Sequence, residues 1–290
     1  MHWNSPAIHS LIHLALEEDA ANHDITTRTL IPAHLRIEAQ IRAKGHGVVC
    51  GIHVAEACFK QLDSHCIFSQ HLPEGRQVKP GTVLATIRGK ARAILSAERT
   101  ALNALQHLSG IATFTRTQVR RLHSKRTAIY DTRKTLPGWR ELQKHAVRCG
   151  GGKNHRMSLR TYVLIKDNHL RICRLINKDW IQAMKRLRRR HPSLPVEMEI
   201  QTNRDVKDAL RLAPHQVLLD NMRPTSLRAL IKKLRLRLPH AEIEISGGVR
   251  PEQLQHLRRL GVERISMGRL THSAPAFDCT LDITRVFNAR

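Results

Sequence analysis

Val196-Glu197-Met198-Glu199-Ile200, a helical pattern, and Gln216-Val217-Leu218-Leu219-Asp220 follow one another in the second half of the chain. A strand candidate, a helical pattern and a second strand candidate make a βαβ unit. Its strands lie parallel because the helix carries the chain back to the same end of the sheet. The unit repeats on both sides. Ala128-Ile129-Tyr130-Asp131 and Tyr162-Val163-Leu164-Ile165-Lys166 precede it, and Glu242-Ile243-Glu244-Ile245-Ser246 and Arg264-Ile265-Ser266-Met267 follow it. Six such strands separated by helical patterns suit an α/β, TIM-like βα barrel, complete or incomplete, better than a short doubly wound sheet.

The first third reads differently. Ile8, Leu11, Ile12 and Ala15 recur at helical spacing, whereas Ile37, Ala39, Ile41 and Ala43 alternate with polar residues as in a half-buried strand. Gly45, Gly47 and Gly51 mark turns, a short helix follows around Val54 to Leu62, and Val78 to Ile87 gives two short strands about Pro80-Gly81. A long helix from about residue 93 to 122, with a break near Ser109-Gly110, leads out of this part. The predicted organisation is an N-terminal α+β open sandwich domain over residues 1–112, joined by the C-terminal tail 271–290, and a βα barrel over 113–270.

Composition narrows the possibilities. No stretch approaches the ~20 apolar residues that span a bilayer, and the start lacks a charged region followed by an apolar one, so a cytoplasmic protein without a membrane partner is expected. The six cysteines form no C-x-x-C pair and are expected as free thiols. The net charge of +25 calls for anionic partners. Lys185-Arg186-Leu187-Arg188-Arg189-Arg190-His191 and Lys232-Lys233-Leu234-Arg235-Leu236-Arg237 could meet phosphates of a nucleic acid. Both runs, however, carry apolar residues at helical spacing, and aromatic residues make up only 3% of the chain, too few for stacking platforms. Solvated helix faces are the expectation, with nucleic acid bound nonspecifically if at all.

In a βα barrel the chemistry collects at the C-terminal ends of the strands. Here those ends read Asp131-Thr132-Arg133-Lys134, Lys166-Asp167-Asn168-His169, Glu199, Asp220-Asn221, Ser246-Gly247-Gly248 and Gly268, and Gly150-Gly151-Gly152-Lys153-Asn154-His155-Arg156 adds further cations. A single polar strand end is ordinary turn chemistry. Six on one edge make a mouth, and its cations make it a site for a multiply charged anion. Arg133 and Arg156 offer planar forks, Lys134 and Lys166 compact charges, each contact worth about 4 kcal/mol at 4 Å before desolvation. The competing account pairs Arg133 and Lys166 with Asp131 and Asp167 and leaves the other cations unexplained. Glu199 and Asp220 are candidate Mg²⁺ ligands or salt-bridge partners. Ser246-Gly247-Gly248 and Gly268 are candidate phosphate binders through backbone N–H groups, or plain turns.

Asp131 through Gly138, Glu141 through Val147, Gly150 through Arg156 and Leu164 through His169 together resemble the signature of the quinolinate phosphoribosyltransferase family. The resemblance extends to Ala97 through Asn103, Leu108 through Thr113, Leu218 through Asn221, Ser246 through Gly248, Gly268 through Ser273, Glu18-Asp19 and Asp24 through Thr27, and so covers most of the chain. Three departures stand out: Ser158 where the family has glycine, Arg160 where it commonly has an acid, and His23 before Asp24 in place of glycine.

The resemblance implies transfer of phosphoribosyl from phosphoribosyl pyrophosphate to quinolinate with decarboxylation. The products would be nicotinate mononucleotide, pyrophosphate and CO₂, in NAD biosynthesis. It implies that Thr132, Arg133, Lys134, His155, Arg156 and Lys166 bind the quinolinate carboxylates, joined by Arg99 from the partner subunit of a homodimer. Glu199 and Asp220 would face the ribose and Mg²⁺, and Ser246, Gly247, Gly248, Gly268 and His272 the 5-phosphate end. Lys134, Lys166, Glu199 and Asp220 carry the catalytic roles in this reading. The rival substrate is nicotinate, which offers one carboxylate instead of two. Outside the motifs, His9 and His13 sit at metal-ligand spacing but lack a third ligand and are expected exposed. Cys149 is expected as a packed thiol, and Trp139 as a shield over the site or packing beneath its loop.

Overall fold

The computed structural model describes residue 3 and residues 5–287. It divides into two compact units: one takes the described residues up to 117, then 135–151 and those from 270 onward, the other 118–134 and 152–269.

The first unit opens with α1 (Pro6–Glu18), whose Ile8, Ile12 and Leu16 form a buried stripe at i, i+4, i+8. α2 (Ile25–Leu30) is capped by Asp24, which accepts from the Thr27 amide at 2.9 Å. The chain continues through β1 (Arg36–Ala43), β2 (Gly47–Val48), α3 (Ile52–Leu62), β3 (Ile67–Gln70), β4 (Gln77–Val78) and β5 (Val83–Lys90). The alternation read over Ile37 to Ala43 holds, since all four apolar residues are buried. Glu38 is buried as well, and it pairs with Arg88 at the matching register position of β5.

α4 (Ala91–Leu122) runs without the break expected near Ser109-Gly110. Ser109 does not compete with the helix backbone, because its hydroxyl donates to the Cys50 carbonyl and accepts from the Cys50 amide, both at 2.9 Å. Gly110 is there for close approach: a Cβ at this position would lie 2.1 Å from the Pro275 carbonyl oxygen. The helix therefore tolerates a residue that costs it about 1 kcal/mol in propensity. α5 (Arg140–Cys149) belongs to the same unit.

The second unit carries six parallel strands: β6 (Ala128–Tyr130), β7 (Val163–Ile165), β8 (Val196–Ile200), β9 (Gln216–Asp220), β10 (Glu242–Ser246) and β11 (Arg264–Ser266). Their order is β6-β11-β10-β9-β8-β7, and among the described residues β6 and β7 do not pair. The barrel is therefore incomplete, open at one seam. There Lys153 pairs with β6, donating its amide to Ile129 at 2.8 Å and accepting from the Asp131 amide at 3.1 Å. β8 is buried at every position, as expected for a strand covered on both faces. Register aligns Asp220 with Ser246, so these two strand ends finish level.

The crossover helices include α6 (Asp167–Leu175), α7 (Trp180–Arg190), α8 (Asn203–Leu212), α9 (Pro224–Arg237) and α10 (Leu254–Arg258). Their charge runs face water as read: Ile181, Leu227, Ile231 and Leu234 are buried, while Lys185, Arg186, Lys232 and Lys233 are exposed. Two cations of these runs are structural. Arg188 donates to the carbonyls of Leu212 and Ala213 at 2.8 and 2.9 Å, and Arg235 meets Glu263 at 2.6 Å. After α11 (Arg269–His272) the chain ends in β12 (Cys279–Phe287), antiparallel to β1, which completes the first unit's sheet in the order β12-β1-β5-β3. No described helix is long and apolar enough to cross a membrane.

Candidate active site

The C-terminal edge of the six-stranded sheet brings together Thr132, Arg133, Lys134, Lys166, Glu199, Asp220, Ser246, Gly247, Gly248 and Gly268, each at or just beyond a strand end. Asp131, fully buried, accepts from the His155 amide at 2.8 Å and so fixes the segment that brings in His155 and Arg156. The Nε of Arg133 is buried without a hydrogen-bond partner. Arg156 is also buried, and its guanidinium is held below its ordinary pKa first by burial and then by the charge of Arg133. Two cations close enough to repel, one with an unsatisfied buried N–H, form a site that a carboxylate completes. Satisfying such a group recovers about 1–3 kcal/mol, and a guanidinium fork takes a carboxylate in two parallel hydrogen bonds.

Lys166 stands at the start of α6 with Nζ 3.6 Å from Glu199 Oε2, while Gln201 donates to Glu199 Oε1 at 2.6 Å. Burial raises the Glu199 pKa. Lys166 and Gln201 oppose that rise, and the charge of Asp220 adds to it, so the two carboxylates sense each other. Asn221 donates to Asp220 Oδ2 at 2.7 Å and sits at φ +51°, with its amide on the Ser246 carbonyl at 3.1 Å. Gly247 packs against this turn at φ +83°, where a Cβ would lie 2.4 Å from Asn221 Oδ1. Only glycine satisfies both demands.

Beneath the edge lies a network that the sequence reading did not assemble. His155 Nε2 is 3.4 Å from both Glu197 Oε2 and Glu244 Oε1, all three residues are buried, and Ser266 donates to Glu244 at 2.6 Å. Burial alone would lower the imidazole pKa, but hydrogen bonds and charge from the two carboxylates outweigh it and hold it at about 9. Tyr162 Oη and the Arg156 amide both lie against His155 Nδ1, at 2.7 and 3.0 Å. Burial, and then the same carboxylates, keep Tyr162 a neutral phenol. Glu197 and Glu199 stand two apart on β8, hence on one face, and this spacing was the available signal.

Folding raises the His155 pKa above the unfolded value of about 6.5. Its stabilisation is thus complete below that pH and is lost as pH rises through about 9. The stability difference between the wild-type chain and His155→Gln should shrink by up to about 3 kcal/mol over this window, read by denaturant unfolding at a series of pH values. A difference independent of pH would show that His155 is neutral in the folded protein.

Arg99 and His272, the remaining expected site residues, lie in the first unit. Arg99 is exposed on α4 and lines a cavity of about 400 Å³ with Glu18, Asp19, Asn103, His107 and Trp139. Trp139 stands edge-on to His107 at 5.7 Å. His272 Nδ1 is 2.6 Å from Ser273 Oγ. His13 is exposed and meets Glu17 and Gln61. Neither Ser158 nor His23 has a positive φ, so losing glycine there costs no backbone strain. Arg160 is exposed.

Comparison with known proteins gives this geometry a lineage. The family model described as quinolinate phosphoribosyl transferase, C-terminal domain, matches residues 111–282, and that of the N-terminal domain matches residues 24–109. A probable nicotinate-nucleotide pyrophosphorylase [carboxylating] of Bacillus subtilis is 37% identical over 268 residues, covering 92% of this chain and 90% of that protein. The nicotinate-nucleotide pyrophosphorylase [carboxylating] of Mycobacterium leprae is 35% identical, with 96% and 97% covered. The crystal structure of NadC from Streptococcus pyogenes superposes with a TM-score of 0.85 at 32% identity, covering 96% of this chain and 97% of that one. Since the two models together take in both units and every polar strand end, the chain belongs to the quinolinate phosphoribosyl transferase family.

Proposed function

We propose that the protein joins quinolinate to phosphoribosyl pyrophosphate and decarboxylates the adduct, releasing nicotinate mononucleotide, pyrophosphate and CO₂. The observation that carries this reading is the buried, unpartnered Nε of Arg133 beside the buried guanidinium of Arg156, a pair suited to a small dianion. Relatives named for the same reaction support it. Arg133 and Arg156 hold the two carboxylates, and Lys134 and Lys166 set the ring's orientation as point charges, with Thr132 and His155 shaping the pocket around them. Glu199 and Asp220 face the ribose, where positive charge grows as the anomeric C–O bond breaks. The backbone of Ser246 to Gly248 and Gly268, with His272, takes the 5-phosphate end.

Glu199 and Asp220 present hard carboxylate oxygens on neighbouring strands, a donor set that fits Mg²⁺ held jointly with substrate phosphates. Bound there, the ion supplies charge neutralisation for the departing pyrophosphate. The pyridine nitrogen gives its lone pair to the anomeric carbon and pyrophosphate leaves with the bond pair. Loss of CO₂ then leaves an electron pair on the ring carbon, stabilised by the cationic nitrogen, and that carbon takes up a proton. The unit that acts is a homodimer in which Arg99 completes the partner's site. The exposed position of Arg99 and its cavity are consistent with this. Free thiols at all six cysteines accord with a cytoplasmic location.

Purified protein given quinolinate, phosphoribosyl pyrophosphate and Mg²⁺ should yield nicotinate mononucleotide by mass spectrometry, and EDTA should abolish the yield. Full turnover in EDTA removes the metal from this account, and no product under any condition removes the function.

A further inference from the structure

The first unit holds a second cluster that this reaction does not use. Cys50 lies just before α3, Glu74 in the loop between β3 and β4, and His145 and Cys149 stand four apart on one face of α5. One ligand atom from each lies within 4.8 Å of all the others. Cys149 Sγ is 3.3 Å from His145 Nε2, Cys50 Sγ 3.6 Å from Glu74 Oε2, and Glu74 Oε2 2.6 Å from His145 Nε2. Cys50 is fully buried, and Trp3 covers His145 edge-on at 4.9 Å.

We propose that Cys50, Glu74, His145 and Cys149 form a closed, structural zinc site. Zinc takes four such ligands tetrahedrally at ~2.0–2.3 Å, which puts ligand atoms ~3.3–3.8 Å apart. Two of the three contacts above already fall in that range. The third, the ion pair of Glu74 with His145, must open by ~0.7 Å to admit the ion. Capping of α3 explains only half of Glu74: its Oε1 accepts from the amides of Gly51 and Ile52 at 2.7 and 2.9 Å, which fixes the carboxylate and turns Oε2 toward the sulfurs. Two thiolates select a thiophilic cation over Mg²⁺. With four protein ligands the site has no open position, so its role is to tie α5 to the start of α3. For Nε2 to ligate, Nδ1 of His145 carries the proton, and the exposed Arg148, 3.3 Å from it, turns away.

The full chain, reduced, stripped with chelator and reloaded, should retain one zinc per chain after desalting. Its cobalt form should show thiolate-to-cobalt charge transfer and the d–d bands of a tetrahedral ion. Cys50→Ser/Cys149→Ser and His145→Gln should lose both signals. As a readout independent of variants, saturating zinc should slow iodoacetamide labelling of Cys149 at least ~10-fold, reversibly with chelator, and leave Cys173 unaffected. The proposal is overturned if the reduced chain retains no zinc, if the cysteine variant retains as much as the wild-type chain, or if zinc leaves Cys149 labelling unchanged. A Cys50–Cys149 disulfide that forms in air with no zinc uptake after reduction would equally overturn it.

Discussion

Lys134→Ala and Lys166→Ala should each lower kcat/KM for quinolinate at least about 100-fold, the loss expected when one preorganised charge is removed from a site built to stabilise a charged transition state. Neither change should unfold the protein. Lys166 is half exposed, its ion pair with the buried Glu199 spans 3.6 Å, and Gln201 still donates to that carboxylate at 2.6 Å when the lysine is removed. Lys134 is exposed at the end of β6. In Lys166→Ala the buried Glu199 also loses the cation that opposes its raised pKa, so the carboxylate should protonate at higher pH. The acid limb of the kcat/KM profile should therefore move up in this variant and stay in place in Lys134→Ala. Wild-type kinetics in either variant, with melting temperatures unchanged, would mean that the mouth lies elsewhere.

Arg99→Ala and Lys166→Ala, each nearly inactive alone, should recover activity when their subunits are mixed. If Arg99 completes the partner's site, a hybrid dimer has one site with both defects and one with neither. Free exchange makes about half the dimers hybrids, so about a quarter of wild-type activity should return. Arg99 suits this role because it is exposed on α4. Hybrids shown by mass to have formed, but inactive, would confine Arg99 to its own chain.

The barrel was legible because strand-length segments alternate with helical patterns: β9 reads as an apolar run, while β8 alternates apolar residues with Glu197 and Glu199, both buried. Its seam was not, because Lys153 pairs with β6 through backbone groups alone, in a glycine-rich stretch that carries no strand pattern. Ser109-Gly110 misled for a related reason. Propensity treats such a pair as a break, whereas tertiary contact with Cys50 and the chain at Pro275 requires it within the helix. In the site, single charges at strand ends could be read one by one. The ties of His155 to Glu197 and Glu244 depend on three separate segments converging; the spacing of Glu197 and Glu199 puts both on one face of β8 but does not name their partners. The same limit hid Cys50, Glu74, His145 and Cys149, of which only the last two stand at a telling interval.

Turnover of quinolinate and of nicotinate, measured side by side with CO₂ collected, tests the central claim that the paired guanidinium groups of Arg133 and Arg156 select a dicarboxylate. The account predicts one CO₂ per nicotinate mononucleotide formed from quinolinate. With nicotinate, loss of one charge-assisted carboxylate contact, worth about 3 kcal/mol, should reduce kcat/KM about 100-fold or more. Equal turnover of the two, without CO₂, would contradict it.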